Sequence, residues 1–184
     1  MASYPSSEYT LSDGQKILIR TAAEADAPTV KAMVETYISQ NEGQVWEPGE
    51  FTPSLEEERA WIAGMLAHPA EILLVAEVRG VLVGNIDFHV GKRLRIAHQG
   101  EFGMGVLPAW RSRGVGALLI RRMLEWAAAT PQLEKINLRV LANNARAIGL
   151  YEKLGFVREG LKRGEFKFAD GSYVDEIHMG KWIR

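Results

Sequence analysis

Two kinds of hydrophobic spacing alternate along this chain. Apolar residues three or four positions apart indicate amphipathic helices, and short, dense or alternating apolar runs indicate strands. The helical spacing predicts helices over residues 24–39, 55–67 and 113–129, and a fourth from Asn143 or Asn144 to Leu154. The other spacing predicts strands over residues 16–20, 72–78, 81–88, 97–107 and 136–140, then two strands from Phe156 around Asp170 and Gly171.

Capping residues support several of these boundaries. Ser54 followed by Glu57 is the capping box of a helix start. Gly155 comes directly after the last predicted helix, where a left-handed residue commonly ends a helix. Residues 41–53 contain Gly, Pro and Trp without periodicity and are expected to form a loop.

The predicted elements form one α/β domain. Their order is β-α-α-β-β-β-α-β-α-β-β, with no internal repeat and no linker that divides the chain. The domain is expected over residues 15–184. Residues 1–14, rich in Ser, Pro and Tyr, are expected to be a flexible arm.

Composition narrows the classes of function. A chain of 184 residues has the length of one domain. Its 22 Lys and Arg against 23 Asp and Glu give a net charge of -1, which removes the main driving force for wholesale nucleic-acid binding. The absence of cysteine excludes disulfides, thiolate metal sites and a cysteine nucleophile. No apolar stretch approaches the roughly 18 residues of a membrane span, and the polar N-terminus does not read as a signal peptide, so a cytoplasmic protein is expected.

Candidate chemistry is concentrated in residues 106–117, where a strand ends and a helix begins. The first turn of a helix has backbone N–H groups without partners and carries partial positive charge. Gly114 and Gly116 remove side chains that would shield those groups, and Arg111 and Arg113 add charge at the rim. The pattern favours a site for a phosphate or pyrophosphate.

The local pattern alone leaves an alternative open. It lacks the Gly-Lys-Ser/Thr ending of a P-loop, and the glycines of residues 100–105 do not have the dinucleotide-binding spacing. A helix start that uses glycine only for close packing would look the same.

Two motifs together resemble a known family. Arg111-x-x-Gly114-x-Gly116 resembles the Gln/Arg-x-x-Gly-x-Gly/Ala coenzyme A motif of the GNAT superfamily of N-acetyltransferases. A second segment, downstream in the order of that family, is Asn144-x-x-Ala147-x-x-Leu150-Tyr151-x-x-Leu154-Gly155-Phe156. The resemblance spans about residues 15–183 and implies a mixed, mostly antiparallel sheet with helices on both faces and a splayed fourth and fifth strand.

The resemblance also implies how acetyl-CoA is bound. Pyrophosphate would lie on the N–H groups of residues 113–117, and the pantetheine arm would lie between the splayed strands. Asn144 would bond the pantetheine end, and a backbone N–H near Val106 would stabilise the oxyanion. The implied coenzyme contacts are Met104, Gly105, Val106, Arg111, Ser112, Arg113, Gly114, Val115, Gly116, Ala117, Asn144, Ala147 and Tyr151.

Two residues are candidates for proton transfer. The resemblance implies that the Tyr151 hydroxyl lies at the thioester sulfur, where a phenol can protonate the leaving thiolate. Glu101 resembles the glutamate of ribosomal-protein and polyamine branches of the family and is the candidate base, acting through a water. It could instead face solvent or pair with Arg95. Asp87 and His89 on the preceding strand could also reach the site.

The sequence says less about where the acceptor amine binds. The resemblance places the loop of Glu42, Trp46, Glu47 and Glu50 at the acceptor pocket, where carboxylates would favour a cationic amine and the indole could stack on it. An acidic, solvated loop is the alternative. The basic residues 92–95 form a solvated hairpin tip or contact the coenzyme or ribosomal RNA.

Three functions follow from these residues. The first is an acetyl-CoA-dependent N-acetyltransferase whose acceptor is a primary amine: a protein N-terminus, an amino acid, a polyamine or an amine-bearing toxin or antibiotic. The second is a non-catalytic acyl-CoA sensor, and the third is a nucleic-acid partner, which the net charge disfavours. The remaining histidines are not spaced as metal ligands. Family habit favours a homodimer, although no residue here indicates one.

Overall fold

The computed structural model describes residues 4–40, 43 and 45–184. Within them lie four α-helices and eight strands. The helices are α1 (Ala27–Ser39), α2 (Leu55–Ala67), α3 (Val115–Ala129) and α4 (Ala145–Lys153). The strands are β1 (Ser7–Thr10), β2 (Lys16–Thr21), β3 (Ile72–Val78), β4 (Val81–Val90), β5 (Gln99–Val106), β6 (Lys135–Leu141), β7 (Val157–Lys167) and β8 (Tyr173–Trp182).

The strands form one sheet in the order β1-β2-β3-β4-β5-β6-β8-β7. Neighbouring strands are antiparallel except β5 and β6, which are parallel. The prediction of a mixed, mostly antiparallel sheet in one α/β fold is confirmed.

The sequence of β3 explains the helical layers on both faces. Leu73 and Val75 pack into a cluster with α1 and α2, whereas Ile72 and Leu74 pack into the larger cluster that includes α3. Successive strand residues point to opposite faces, so a strand covered on both sides needs an uninterrupted apolar run. The apolar run from Ile72 to Ala76 meets that requirement.

The N-terminal segment differs from its expectation. Ser7–Thr10 forms β1, which pairs with β2 in the register Ser7↔Ile19 to Thr10↔Lys16. Its residues alternate between half-buried and exposed, so the strand depends on backbone pairing with β2 rather than on an apolar run. Hydrophobic spacing therefore gives no sign of it.

Two helices begin later than predicted. A short 3-10 helix, Glu24–Asp26, precedes α1. Helix α3 begins at Val115 rather than at residue 113, because Gly114 adopts φ +92°, a left-handed conformation that cannot belong to the helix.

The described residues contain neither a metal-binding cluster nor a membrane-spanning helix. No group of three or more His, Asp or Glu side chains is arranged to hold a metal ion. None of the helices described here has the length and apolarity needed to span a bilayer.

Candidate active site

A cleft opens where β5 and β6 separate. Their ladder joins only residues 99–101 to residues 135–137, although β5 continues to Val106 and β6 to Leu141. A cavity of about 910 Å³ lies between the diverging ends and extends to the start of α3 and along α4. That volume is in the range of small-molecule sites. These two strands are the pair predicted to splay. They are the fourth and fifth strands of the predicted order, which does not contain β1.

Backbone groups of β5 line this cleft. Leu107 N–H donates to the Val83 carbonyl and Gly91 N–H donates to the Gln99 carbonyl, so odd-numbered residues of β5 bond to β4. Even-numbered residues direct their N–H and C=O groups to the other side. Met104 and Val106 thus face the region where β6 has moved away, which leaves a strand edge for an extended ligand.

The first turn of α3 meets the same cleft. Its first backbone bond runs from Leu118 N–H to the Gly114 carbonyl at 3.1 Å, so the N–H groups of residues 115–117 precede the helical ladder. Gly114 caps the helix without any side-chain bond to these groups. The geometry is that of an anion site at a helix N-terminus.

The two glycines of this turn have different surroundings. A Cβ at Gly114 would meet nothing within 4 Å, whereas one at Gly116 would lie 3.3 Å from Met104 Cε and 3.5 Å from Leu150 Cδ2. Close packing therefore explains Gly116, whereas the anion site at Gly114 stays a prediction. Gly116 permits close packing, and Gly114 supplies the left-handed turn and an open approach.

The two arginines of the motif take different positions. Arg111 lines the cleft, and its Nε donates to the Val106 carbonyl at 3.1 Å. Arg113 stacks on the Trp110 ring, with Cζ 5.0 Å from the centroid, and pairs with Asp13 at 3.2 Å. The Arg113 side chain is thus already engaged by protein groups, and it is not among the described residues that line the cleft. The side chain of Val115 is buried in the core.

Helix α4 forms the opposite wall. Asn144 caps it, since its Oδ1 accepts the N–H of Ala147 at 3.1 Å, as the capping pattern predicts for this position. Both residues line the cleft, together with Arg146, Leu150 and Tyr151.

Tyr151 lies against the cleft in an aromatic cluster. Its ring is edge-on to Phe102 at 5.8 Å and to Phe156 at 6.1 Å between centroids. Burial raises the pKa of the Tyr151 phenol to about 12. The hydroxyl is consequently protonated at neutral pH and can donate a proton or a hydrogen bond.

Glu101 also lines the cleft, but its partner differs from the one considered above. Its Oε2 accepts from Arg139 Nε at 2.9 Å, and Arg95 lies elsewhere, on the turn between β4 and β5. His89 of β4 is paired with Glu101 in the ladder, and its Nε2 lies 3.4 Å from Oδ2 of Asp87 on the same strand. That hydrogen bond is the main reason why the pKa of His89 is raised above its usual range.

The glycines of β5 make room for protein atoms. A Cβ at Gly105 would overlap the Tyr37 ring of α1, and one at Gly103 would lie 3.1 Å from the Asp87 carboxylate. Tyr37 is buried there and its hydroxyl donates to Asn85 Oδ1 at 3.2 Å. The missing side chain at Gly105 therefore serves the packing of α1 on the sheet.

We expect Gly105→Ala to lower the free energy of unfolding by about 1 to 3 kcal/mol, the usual effect of overpacking a core. Denaturant unfolding measures it. Gly149→Ala is the matched control, because its Cβ would meet nothing within 4 Å and a glycine-to-alanine change in a helix is neutral or stabilising. Equal stability of the two variants would contradict the packing role of Gly105.

Only part of the predicted acceptor loop lies within the described residues. Trp46 lines the cleft, whereas Glu47 is half-buried and Glu50 is exposed, and both lie outside its described lining. Glu42 lies outside the described residues. The basic residues 92–95 are exposed in the turn between β4 and β5.

Tyr37 and Arg139 line the cleft but were not among the residues predicted for the site. The signal for Arg139 was available: it is a charged, outward-facing position of an alternating strand, between the apolar Leu138 and Val140. Tyr37 gave no signal, since its spacing in α1 is that of an ordinary core residue.

Comparisons with known proteins agree with this geometry. The sequence model of the Acetyltransferase (GNAT) family matches residues 31–156. The L-amino acid N-acetyltransferase AaaT of Escherichia coli (strain K12) is 31% identical over 169 residues, which cover 90% of this chain and 98% of that protein.

Solved structures share the fold. A GNAT-family acetyltransferase from Streptococcus pneumoniae superposes with a TM-score of 0.87 at 26% identity, covering 91% of this chain and 99% of the other. The yncA protein of Salmonella typhimurium, solved with its cofactor acetyl-CoA, has a TM-score of 0.82 at 20% identity, covering 91% and 94%. With the family match over most of its length, the chain belongs to the GNAT family of acetyltransferases and is an N-acetyltransferase.

Proposed function

We propose that this enzyme binds acetyl-CoA in the cleft and transfers the acetyl group to a primary amine that attacks directly in a ternary complex. The observation that carries the proposal is the separation of β5 from β6. It brings the start of α3, the edge of β5 that has no neighbouring strand, and Tyr151 to one cavity.

The residues of the cleft fit the coenzyme. The N–H groups of residues 115–117 would hold its pyrophosphate, because they combine hydrogen bonding with the positive end of the helix dipole. The main-chain groups of β5 that face away from β4 would pair with the extended pantetheine arm, as an added strand would, with one N–H near Val106 left for the acetyl oxygen. Acetyl-CoA supplies the activated acetyl group.

Glu101 would prepare the amine. An alkyl amine with a pKa near 10.4 is almost wholly protonated at pH 7, so it must lose a proton before it can attack. Glu101 lies half-exposed in the cleft and would accept that proton through a water. The nitrogen then bonds to the acetyl carbon, and a backbone N–H near Val106 stabilises the charge on oxygen.

Tyr151 would complete the transfer. As the carbon–sulfur bond breaks, the phenol donates its proton to the departing sulfur, and the proton that the new amide nitrogen loses restores the phenol through solvent. Because burial raises the pKa of Tyr151, the phenol holds its proton at neutral pH until the thiolate develops beside it. No covalent enzyme intermediate is needed, and the chain contains no cysteine to form a thioester.

Thiol release from acetyl-CoA with a panel of amines tests the proposal. The panel contains amino acids, polyamines and peptides with free N-termini, with hydrolysis in the absence of amine as baseline. We expect at least one amine to accelerate release, and mass spectrometry to identify its acetylated product. Tight coenzyme binding without release for any amine would support the acyl-CoA sensor instead.

A further inference from the structure

An exposed ion pair stands at the narrow end of the cleft. Arg139 of β6 and Glu101 of β5 are joined at 2.9 Å, and their side chains are 53% and 49% exposed. The last ladder pair of the two strands is Glu101↔Asn137, so Arg139 lies just beyond the point where they separate. Both side chains line the cleft.

The pair faces the side of the sheet that carries α1. Phe102 and Val140, which alternate with Glu101 and Arg139, pack into the opposite core beside α3 and α4. The ion pair is thus across the sheet from the Tyr151 ring cluster, on the face where Tyr37 contributes to the wall of the cleft. An acceptor that entered from this face would meet a carboxylate and a guanidinium side by side.

The guanidinium has donors to spare. Within the part of the chain that the structure describes, Arg139 donates one hydrogen bond, through Nε to Glu101. Its Nη1 lies 3.9 Å from the buried Glu176, too far for a hydrogen bond. A planar guanidinium carries five N–H donors, and two can bind a carboxylate in parallel. Because exposed ion pairs are weak, an incoming charged group can rearrange this one easily.

We propose that the acceptor is an α-amino acid, with Glu101 holding the α-ammonium group through the water that takes its proton and Arg139 binding the α-carboxylate. This inference rests on the proposed acetyl transfer. The two charges of the zwitterion are attached to one carbon, so they match two opposite charges held side by side. A polyamine would bring its second cation towards Arg139 and be repelled.

Three acceptors that share one side chain test the inference: an amino acid that the panel identifies, its carboxamide, and the amine left when the carboxylate is removed. Their values of kcat/KM are compared at the high-pH limit, because the three amines have different pKa values. We expect the amino acid to be preferred at least about tenfold, the factor that corresponds to 1.4 kcal/mol. Equal values for the three would overturn the inference and leave acetyl transfer intact, whereas no acetylation of any amine would remove both.

Variants identify the residue responsible. Arg139→Gln should bring the three acceptors to similar kcat/KM by raising KM for the amino acid, and Arg139→Lys should restore part of the preference. Arg158→Gln is the matched control: Arg158 pairs with Glu152 at 3.0 Å with 57% and 47% exposure, outside the described lining of the cleft. Coenzyme affinity by calorimetry should be unchanged in all three. A preference that survives in Arg139→Gln would exclude Arg139 as the carboxylate-binding group.

Discussion

Replacing Gly114 by glutamate should weaken acetyl-CoA binding by a factor of about 100 or more, measured by calorimetry. The residue sits at φ +92° directly before the free amides of α3, with open space where a side chain would begin. A carboxylate there would compete for these N–H groups and repel the diphosphate. Each lost charged hydrogen bond contributes about 1.5 to 3 kcal/mol to the weaker binding. The strain of a non-glycine residue in the left-handed region, about 1 to 2 kcal/mol, lowers stability in the free and bound enzyme alike.

A second glycine separates these effects from a general loss of stability. Gly171, in the turn between β7 and β8, has φ +86° and equally open space, and it is not among the residues that line the cleft. Gly171→Glu therefore introduces the same charge and similar strain elsewhere, and it should leave the dissociation constant unchanged. Unaltered coenzyme affinity in Gly114→Glu would refute the diphosphate site.

Tyr151→Phe should lower kcat about 100-fold while coenzyme affinity changes less than about twofold. General acids contribute roughly 100- to 10,000-fold, so removal of the proton donor is expected to affect turnover at the lower end of that range. The phenyl ring can keep its edge-on contacts with Phe102 and Phe156, so the fold should be preserved. Steady-state kinetics and calorimetry on the same preparations measure the two quantities.

The matched control is Tyr173→Phe. Tyr173 is 64% exposed in β8, so loss of its hydroxyl should change neither kcat nor affinity. The acid role also predicts that acyl donors with more acidic thiols lose less rate in Tyr151→Phe, because their leaving groups need less protonation. Equal turnover of Tyr151→Phe and the unmodified enzyme would end that role.

Features that depend on a few neighbouring residues were predictable. The capping box at Ser54, the cap at Asn144 and the left-handed Gly155 follow from bonds and steric limits within about one helical turn. The dense apolar run of β3 likewise indicates a strand buried on both faces. β1 was missed because its pairing with β2 uses backbone groups, which every sequence possesses.

From the sequence alone came the glycine-rich start of α3, the order of the elements after β1 and the two motifs of the family, since each is written in consecutive residues. Only the tertiary structure decided that Tyr37 occupies the space at Gly105 and that Glu101 pairs with Arg139, 38 positions away. Local sterics and hydrogen bonds operate along the chain, whereas these contacts depend on which strands become neighbours and where their ladder ends. The acceptor side of the cleft is built from contacts of that second kind, which is why its chemistry could be argued only after folding.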